Sequence, residues 1–204
     1  MNHYFTNEEV KSELRKINVN VSDKKFVFNV DNGVFSKKGL DFGSRSMIES
    51  LLTESLSGKA LDVGCGYGPI GIILSSFFNL SFDMIDVNKR AVHLCEMNIK
   101  ENKVNCNTFV SDIYENVNKK YDFIVTNPPI RAGKEIVYKI LFEAKDYLLP
   151  GGALYFVVNK NQGAKSMVRD LSKVAKVDVL KNNKGFFVIK CIFDWQVDIF
   201  MVII

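Results

Sequence analysis

The sequence predicts an α/β fold built on a mostly parallel sheet. From residue 60 onward, short apolar segments with the pattern of strands alternate with segments of helical periodicity. Strands separated by helices of this length need crossover connections, which make the strands parallel. The last two predicted strands, 176–180 and 186–193, are joined by a short turn at 182–185 and must pair antiparallel. We therefore expect a seven-stranded sheet with one reversed strand near its edge.

Apolar runs bounded by turn residues define the strands, and apolar residues three and four positions apart define the helices. The predicted strands span 60–63, 80–86, 107–110, 121–126, 153–158, 176–180 and 186–193. The predicted helices begin at Ser44, which can cap the first of them, and at Pro69, and the later ones span 89–102, 135–148 and 164–175.

The length of 204 residues is that of one domain with a full core. The chain contains no repeat and no linker-like tract. We expect a single domain in which 1–43 form an N-terminal extension, 44–194 the core and 195–204 an apolar tail. The sequence offers no functional account of the tail.

The extension is predicted to hold a helix and a β-hairpin. Residues 6–9 are a possible capping box for a short helix whose inward face carries Val10, Leu14 and Ile17. Alternating residues 26–30 and the tight turn Asn32-Gly33 predict a hairpin whose second strand starts at 34–35.

Composition limits the class of protein. A content of 47% hydrophobic and 25% charged residues is typical of soluble globular proteins. The N-terminus lacks the basic and apolar regions of a signal peptide, and no apolar run approaches the roughly 20 residues of a membrane span. Cys65, Cys95, Cys106 and Cys191 form no C-x-x-C pair and no Cys/His cluster. We expect a cytoplasmic protein with free thiols, no metal and no membrane partner.

Charge is unevenly distributed, although the net charge is only +4. Residues 131–190 carry twelve Lys and Arg against five Asp and Glu, whereas 46–130 carry seven against ten. A basic second half would suit a polyanionic substrate such as RNA. Scattered solvated lysines explain the same counts equally well.

A glycine-rich turn follows the first strand of the core, in the sequence ALDVGCGYGPIG at 60–71. A strand, a glycine turn and a helix N-terminus together form a site for a nucleotide-type cofactor, because the missing Cβ atoms let the backbone approach the ligand. The glycines are Gly64, Gly66, Gly68 and Gly71. Asp62, inside the preceding strand, can either serve an amine or hold the turn.

Two further acids follow the next two strands. Asp86 can accept hydrogen bonds from both hydroxyls of a ribose, and Asp112 can receive the amino group of an adenine. Because the carboxyl ends of parallel strands meet at one edge of a sheet, we expect both to border the cofactor. The glycine spacing together with Asp86 also satisfies the dinucleotide fingerprint of NAD proteins, which remains an alternative.

Asn127-Pro128-Pro129-Ile130 follows the fourth strand of the core. The prolines stiffen the loop and remove N–H donors, which leaves the Asn127 side-chain oxygen and the carbonyls of Asn127 and Pro128 as acceptors. Acceptors without competing donors suit a substrate amino group, whose nitrogen they can orient toward an electrophile. This loop argues against NAD as the cofactor.

In this order, these segments resemble the class I S-adenosylmethionine-dependent methyltransferases, which have a Rossmann-like fold. The narrower resemblance is to the "methyltransferase small" family, and it covers about residues 3–193. It rests on four segments: Gly33-Val-Phe-Ser36, Asp41-Phe-Gly-Ser44, Asn127-Pro-Pro-Ile-Arg-Ala-Gly-Lys134 and Asn161-Gln-Gly-Ala164.

The resemblance implies roles for individual residues. The expected binders of the methionine part of the cofactor are Asp62, Gly64, Cys65, Gly66 and Gly68. Asp86 would bind the ribose and Asp112 the adenine, and Val87 would also contact the cofactor. Asn127, Pro128 and Pro129 would form the catalytic loop, with Asn127 also next to the cofactor, and Ile130, Arg131 and Lys134 would contact the substrate. Ile130 stands where many enzymes with this loop have an aromatic residue that stacks on the base.

The implied activity is S-adenosylmethionine-dependent N-methylation of RNA, at guanine N2 of small-subunit rRNA, with the small ribosomal subunit as partner. Adenine N6 and a protein glutamine amide are alternative acceptors. A non-catalytic assembly factor that binds the cofactor or RNA is an alternative of another class. The sequence leaves open whether the protein is a monomer or a homodimer.

Overall fold

The computed structural model describes residues 12–32 and 39–194. The strands are β1 (Arg15–Val21), β2 (Lys24–Val30), β3 (Lys59–Val63), β4 (Ser81–Asp86), β5 (Asn107–Val110), β6 (Tyr121–Thr126), β7 (Leu148–Asn159), β8 (Ala175–Asn183) and β9 (Phe186–Phe193). The helices are α1 (Phe42–Leu51), α2 (Pro69–Phe78), α3 (Lys89–Asn102), α4 (Lys134–Glu143) and α5 (Ala164–Leu171).

The seven strands from β3 to β9 form one sheet in the order β5-β4-β3-β6-β7-β9-β8. Strand β9 is antiparallel to β7 and to β8, and the other neighbouring pairs are parallel. The predicted α/β class and the single reversed strand near the edge are confirmed. From β3 the chain builds outward to β5 and then returns to place β6 on the other side of β3. Ligands of open α/β sheets bind at such a reversal, beside the carboxyl ends of the strands.

Helices cover both faces of the sheet because successive side chains of a strand point to opposite faces. On one face the β1–β2 hairpin, α1, α2 and α3 pack over residues such as Ala60, Phe123 and Tyr155. On the other face α4 and α5 pack over their neighbours in sequence, such as Leu61, Ile124 and Phe156. A sheet covered on both sides is rigid, and it fixes the strand ends that carry the candidate site residues.

Two of the predicted glycines allow close packing of α2. A Cβ on Gly68 would lie 2.6 Å from Cys95 Sγ in α3, and a Cβ on Gly71 would lie 2.5 Å from Met84 Sδ in β4. Since real Cβ atoms do not approach other atoms so closely, any larger residue would displace the helix. These two glycines seat α2 against its neighbours.

The described part of the N-terminal extension contains a hairpin whose first strand was not predicted. Strand β2 pairs with β1, which precedes it, through a turn at Ser22-Asp23, and Ile17 pairs with Phe28 instead of lying on a helix. Alternation of Ile17, Val19 and Val21 in the sequence is the pattern of a half-buried strand. The predicted capping box at 6–9 and the predicted strand at 34–35 lie outside the described residues, as does the tail 195–204.

Several predicted boundaries also differ from the structure. Asp41, not Ser44, caps α1, since its side chain accepts the Ser44 N–H. The helix predicted over 135–148 ends at Glu143 and continues as a 3₁₀ turn over Ala144–Tyr147, because β7 already begins at Leu148 opposite Tyr121. The helix predicted over 164–175 ends at Leu171.

Within the described part of the chain, no helix has both the length and the apolar composition needed to cross a membrane.

Candidate active site

A cavity of about 550 Å³ lies at the carboxyl ends of β3, β4, β5 and β6. The loops after these strands form its floor, and the N-terminal turn of α1 and the start of β9 close one side. The predicted site residues that line it are Gly64, Cys65, Gly66, Asp86, Val87, Asp112, Asn127, Pro128, Pro129, Ile130 and Arg131. Asp62, Gly68 and Lys134 lie outside the lining, so these three do not face the cavity directly.

The glycine turn after β3 presents bare backbone to this cavity. The N–H groups of Gly64 and Cys65 both donate to the Ile85 carbonyl at 2.9 Å, which ties the turn to the end of β4. Gly64 and Gly66 have φ values of +71° and +58°, which residues with a side chain rarely adopt. A Cβ on either would meet no protein atom within 4 Å and would project into open space. The turn is therefore a cradle that fits a ligand lying against its backbone.

Asp86 is fixed by the same turn. Its Oδ2 accepts the Gly66 N–H at 2.9 Å, and its Oδ1 accepts the Asn88 N–H at 2.8 Å. Burial raises the pKa of this carboxyl, while the backbone donors Asn88, Gly66 and Val87 act in the opposite direction. Each oxygen keeps a further lone pair for a hydroxyl of the ligand. Asp112 lines the same end of the cavity, with its side chain exposed.

Asp62 lies behind the turn and is fully buried in β3. Its Oδ2 accepts the Gly71 N–H of α2 at 3.2 Å, and its Oδ1 has no partner among the described residues. Burial raises the pKa of Asp62 to about 7, against the effect of the Gly71 N–H and with a contribution from the negative charge of Asp86. Asp62 was expected either to serve an amine or to hold the turn, and the hydrogen bond from Gly71 favours the second role.

The Asn127 side chain is held by the first turn of α1. Its Nδ2 donates to Asp41 Oδ1 at 3.2 Å and to Ser44 Oγ at 3.0 Å. Because a carboxylate only accepts hydrogen bonds, Asp41 fixes which end of the amide is the NH₂ group. No described residue donates to the Asn127 Oδ1 oxygen, so an oriented acceptor remains for a ligand at the cavity.

The rest of the Asn-Pro-Pro loop folds tightly after Asn127. The Ile130 N–H donates to the Pro128 carbonyl at 2.9 Å, and the Ala132 N–H donates to the Pro129 carbonyl at 2.8 Å. The Pro128 carbonyl, a predicted acceptor, therefore has one lone pair already engaged and one remaining. Lys134 begins α4, and its ammonium lies 4.8 Å from the Tyr138 ring centroid.

Sequence reasoning missed four lining residues opposite the glycine turn. Asp41, Phe42 and Ser44 come from α1, and Phe186 comes from β9. The segment from Asp41 to Ser44 was recognised for its resemblance alone, and a position on a strand near the sheet edge gave Phe186 no chemical signal. Only the three-dimensional structure places these residues beside Asn127.

The described residues contain no obvious base, nucleophile or metal centre at the cavity. The carboxyl groups that the described residues contribute to its lining are Asp41, Asp86 and Asp112, and these residues contribute no histidine or lysine. The hydrogen bond with Cys95 and burial raise the pKa of the Cys65 thiol well above its usual range, so this lining thiol stays protonated. Across residues 12–32 and 39–194, no group of three His, Cys, Asp or Glu side chains is placed to hold a metal ion.

The sheet order, the glycine cradle, the acids after β4 and β5 and the Asn-Pro-Pro loop after β6 define a class I S-adenosylmethionine-dependent methyltransferase. The cradle and the acceptors of Asp86 fit the methionine and ribose parts of this cofactor. Comparison with known proteins gives the family. The model of the family "Methyltransferase small domain" matches residues 25–190, and the chain belongs to that family.

Relatives fall into two groups. The uncharacterized protein YbxB of Bacillus subtilis is 42% identical over 194 residues, which cover 92% of this chain and 96% of that protein. The ribosomal RNA small subunit methyltransferase C of Vibrio vulnificus is 35% identical over 150 residues, which cover 71% of this chain and 44% of that enzyme. The chain thus matches less than half the length of the methyltransferase C relative.

Solved structures share the fold. The 16S rRNA N2 methyltransferase of T. thermophilus, solved with AdoMet and guanosine, has a TM-score of 0.80 at 21% identity, covering 92% of this chain and 52% of that one. A methyltransferase from Pyrococcus furiosus has a TM-score of 0.65 at 24% identity, covering 79% of this chain and 89% of that one. At these identities the likeness is one of fold.

Proposed function

We propose that this methyltransferase acts on RNA and transfers the methyl group to an exocyclic amine, guanine N2 of small-subunit rRNA. One observation carries the proposal. The Asn127 amide is fixed by Asp41 and Ser44 so that its Oδ1 is left as an unpartnered acceptor at a cavity that also contains the glycine cradle. An acceptor in that position is what a substrate N–H group requires.

The chemistry of the acceptor explains why two oxygen atoms matter. The lone pair of an aromatic amine is delocalised into the ring, which makes the amine a poor nucleophile. The Asn127 Oδ1 and the free lone pair of the Pro128 carbonyl can each take one N–H bond and favour a pyramidal nitrogen. S-adenosylmethionine supplies an electrophilic methyl group on a sulfonium. The contribution of the loop is then orientation and electrostatic stabilisation.

The lining supports transfer without a dedicated base. Of the three carboxyl groups in the lining, Asp41 is engaged with Asn127 and with the Ser44 N–H, and Asp86 is engaged with the glycine turn. The third, Asp112, follows β5, which two strands separate from β6 and the Asn127 that follows it. A methylated amine becomes acidic once the fourth bond to nitrogen forms, and water can take the proton. We expect no steep dependence of the rate on a group with a pKa near 7 in the lining itself.

Two further facts support RNA as the substrate. Relatives that match over 132 to 165 residues at 30–35% identity are named small-subunit rRNA methyltransferases. Residues 131–190 carry an excess of Lys and Arg over Asp and Glu. This region contains the segment that follows Asn-Pro-Pro, together with β8 and most of β9. A polyanion that binds there should bind more weakly as salt rises.

The proposal is tested with methyl-labelled S-adenosylmethionine and small ribosomal subunits from cells that lack this gene. The RNA is digested to nucleosides and the labelled nucleoside is identified. We expect label in N2-methylguanosine. Label in N6-methyladenosine would change the base, and label in protein alone would contradict an RNA substrate.

Two variants assign the reaction to the loop. Asn127→Ala should abolish transfer and leave the affinity for S-adenosylhomocysteine within a few-fold, because the amide orients the amine rather than the cofactor. Asn105→Ala, an exposed asparagine before β5 at the opposite edge of the sheet, is the matched control and should behave as the wild type. Equal loss of transfer and cofactor binding in Asn127→Ala would show that the loop shapes the cofactor site.

A further inference from the structure

Two phenylalanine rings form one wall of the cavity. Phe42 is the first residue of α1 and Phe186 the first residue of β9, and their ring centroids are 5.4 Å apart with the planes tilted by 56°. Both residues line the cavity and both remain partly exposed. A partly exposed aromatic ring gains less hydrophobic free energy on folding than a buried one. In a cavity wall it offers a flat apolar surface to a ligand.

This wall is adjacent to the acceptor of the proposed reaction. Phe42 lies between Asp41 and Ser44, the two residues that hold the Asn127 amide. Phe186 reaches the same turn because residue 43 is glycine: a Cβ there would lie 3.3 Å from Phe186 Cε1. The two rings and the Asn127 Oδ1 therefore belong to one corner of the cavity.

The opposite wall has no aromatic surface to offer. Ile130 occupies the position after Asn-Pro-Pro, lines the cavity, and packs part of its side chain against the core formed with α4 and α5. A branched aliphatic side chain has no π face on which a base could stack. Tyr67, the third aromatic side chain among the described residues that line the cavity, is buried in the glycine turn, so an exposed aromatic surface for a base comes from the side of α1 and β9.

Two lysines with no carboxylate partner among the described residues flank the two rings. The Lys184 ammonium lies 5.5 Å from the Phe42 ring centroid. Lys160 packs the methylene groups of its side chain beside Gly185, and its backbone N–H donates to the Gly185 carbonyl at 2.7 Å. Both lysines are exposed, and neither ammonium meets a carboxylate within the described ranges 12–32 and 39–194. Farther from the rings on the same two strands, Lys181 and Lys190 pair with Glu49 and Glu54 at 3.4 Å and 2.9 Å.

We propose that Phe42 and Phe186 form the surface on which the target purine stacks, and that Lys160 and Lys184 bind the phosphates next to it. This inference rests on the proposed RNA methylation and specifies its substrate site. A base can stack here only after leaving its own helix, so the ligand is a single-stranded or flipped-out nucleotide. Arg131, which lines the cavity beside Ile130, supplies a cation on the opposite side.

The stacking surface is tested by Phe186→Leu in the full-length protein, with small subunits as methyl acceptor. Leucine keeps the apolar contact and removes the π face, and we expect KM for the subunit to rise roughly 10- to 100-fold, as losses of base stacking do. The affinity for S-adenosylhomocysteine should not change. Phe187→Leu is the matched control, since the next side chain of β9 packs on the other face of the sheet.

The cations are tested by salt dependence, which needs no change in the core. Lys184→Gln and Lys160→Gln should each reduce the slope of log KM against log salt concentration by about 0.7, the value for one lost contact to a single-stranded phosphate. Lys59→Gln should leave the slope unchanged, because this exposed lysine begins β3 and so lies at the amino end of the strand, away from the cavity at the carboxyl ends.

Measurements on the wild-type protein distinguish a failure of the proposed RNA methylation from a failure of the stacking surface alone. If it binds S-adenosylhomocysteine and methylates no RNA, the proposed function fails and the stacking surface fails with it. If it methylates RNA and Phe186→Leu has the KM of the wild type, the stacking surface alone is wrong. If Phe186→Leu no longer unfolds cooperatively on heating, Phe186→Tyr, which retains a π face, replaces it and must have the KM of the wild type. The salt-dependence slopes of Lys160→Gln and Lys184→Gln must also fall. Failure of either result overturns the inference.

Discussion

The cofactor side and the substrate side of the cavity are built in different ways. The cofactor side uses the glycine turn after β3 and the residues that follow β4 and β5, so that each group lies next to the strand that positions it. The substrate side joins Asn127 after β6 to Asp41, 86 residues earlier, and places Phe42 against Phe186 of β9. The first is local in sequence, whereas the second exists only once distant segments are packed together. Each side should therefore fail separately when it is altered.

The largest effect is expected on the cofactor side. Gly66→Val places a β-branched side chain at a φ of +58° and into the open space of the cradle, and should weaken S-adenosylhomocysteine binding at least about 100-fold, or 2.7 kcal/mol. Gly151→Val is the matched control, because Gly151 has a φ of +80° and open space around its Cβ but lies at the distant start of β7. Calorimetric titration distinguishes the two variants. Equal weakening in both would mean that strain alone, and not the cradle, is responsible.

A smaller effect is expected on the substrate side. Ser44→Ala removes one of the two acceptors that hold the Asn127 amide and keeps the Ser44 N–H that Asp41 caps. We expect kcat to fall about 5- to 10-fold, the equivalent of one hydrogen bond, with the cofactor affinity unchanged. Ser46→Ala, in the same helix and with a buried hydroxyl that has no hydrogen-bond partner among the described residues, is the control. Single-turnover kinetics that show equal rates for both variants would rule out the positioning role.

The third effect is on stability rather than on binding or rate, and it lies behind the cofactor side. The pKa of Asp62 in the folded protein, about 7, is above the ordinary aspartate value of 3.8, so its contribution to stability is fully present below about pH 4 and is lost as pH rises through 7. Asp62→Asn removes this pH-dependent loss of stability, because an amide does not titrate. The difference in free energy of unfolding between variant and wild type should thus increase from pH 4 to pH 8, by at most about 4 kcal/mol.

Urea denaturation at both pH values measures that difference, with Glu115→Gln as the control. Glu115 is an exposed carboxylate, and its amide variant should follow the wild type at each pH. Parallel pH profiles for Asp62→Asn and the wild type would show that the buried carboxyl is not the source of the slope.

The same contrast explains which parts of the molecule could be predicted from sequence. Helix α3 was predicted over 89–102 and has those bounds, because a long amphipathic period and the Asn88 cap are both local signals. The reversed β9 followed from the length of its connection to β8. Asn127 was predicted as an acceptor, but its orientation depends on α1, and no pattern in the sequence indicates a contact across 86 residues.

The β1–β2 hairpin shows a local signal that is easily overlooked. Alternation of Ile17, Val19 and Val21 marks β1, which pairs with β2 and buries Val19 and Val21 against the core. Because one face of this pair is buried, the alternation also sets its register. In the β8–β9 turn the local signal predicts the connection directly: Lys184 and Gly185 have φ values of +48° and +83°, as a two-residue hairpin turn requires.

The order of strands also has a consequence for synthesis of the protein. Strand β9, the last along the described chain, inserts between β7 and β8, so β7 has an unpaired edge until β9 has left the ribosome. The apolar residues of β7, such as Leu154 and Phe156, make that edge prone to association until β9 pairs with it. The glycine turn and Asp86 emerge more than 90 residues before Phe193. A nascent chain can thus assemble the parts of its cofactor site well before the wall formed by Phe42 and Phe186 is complete.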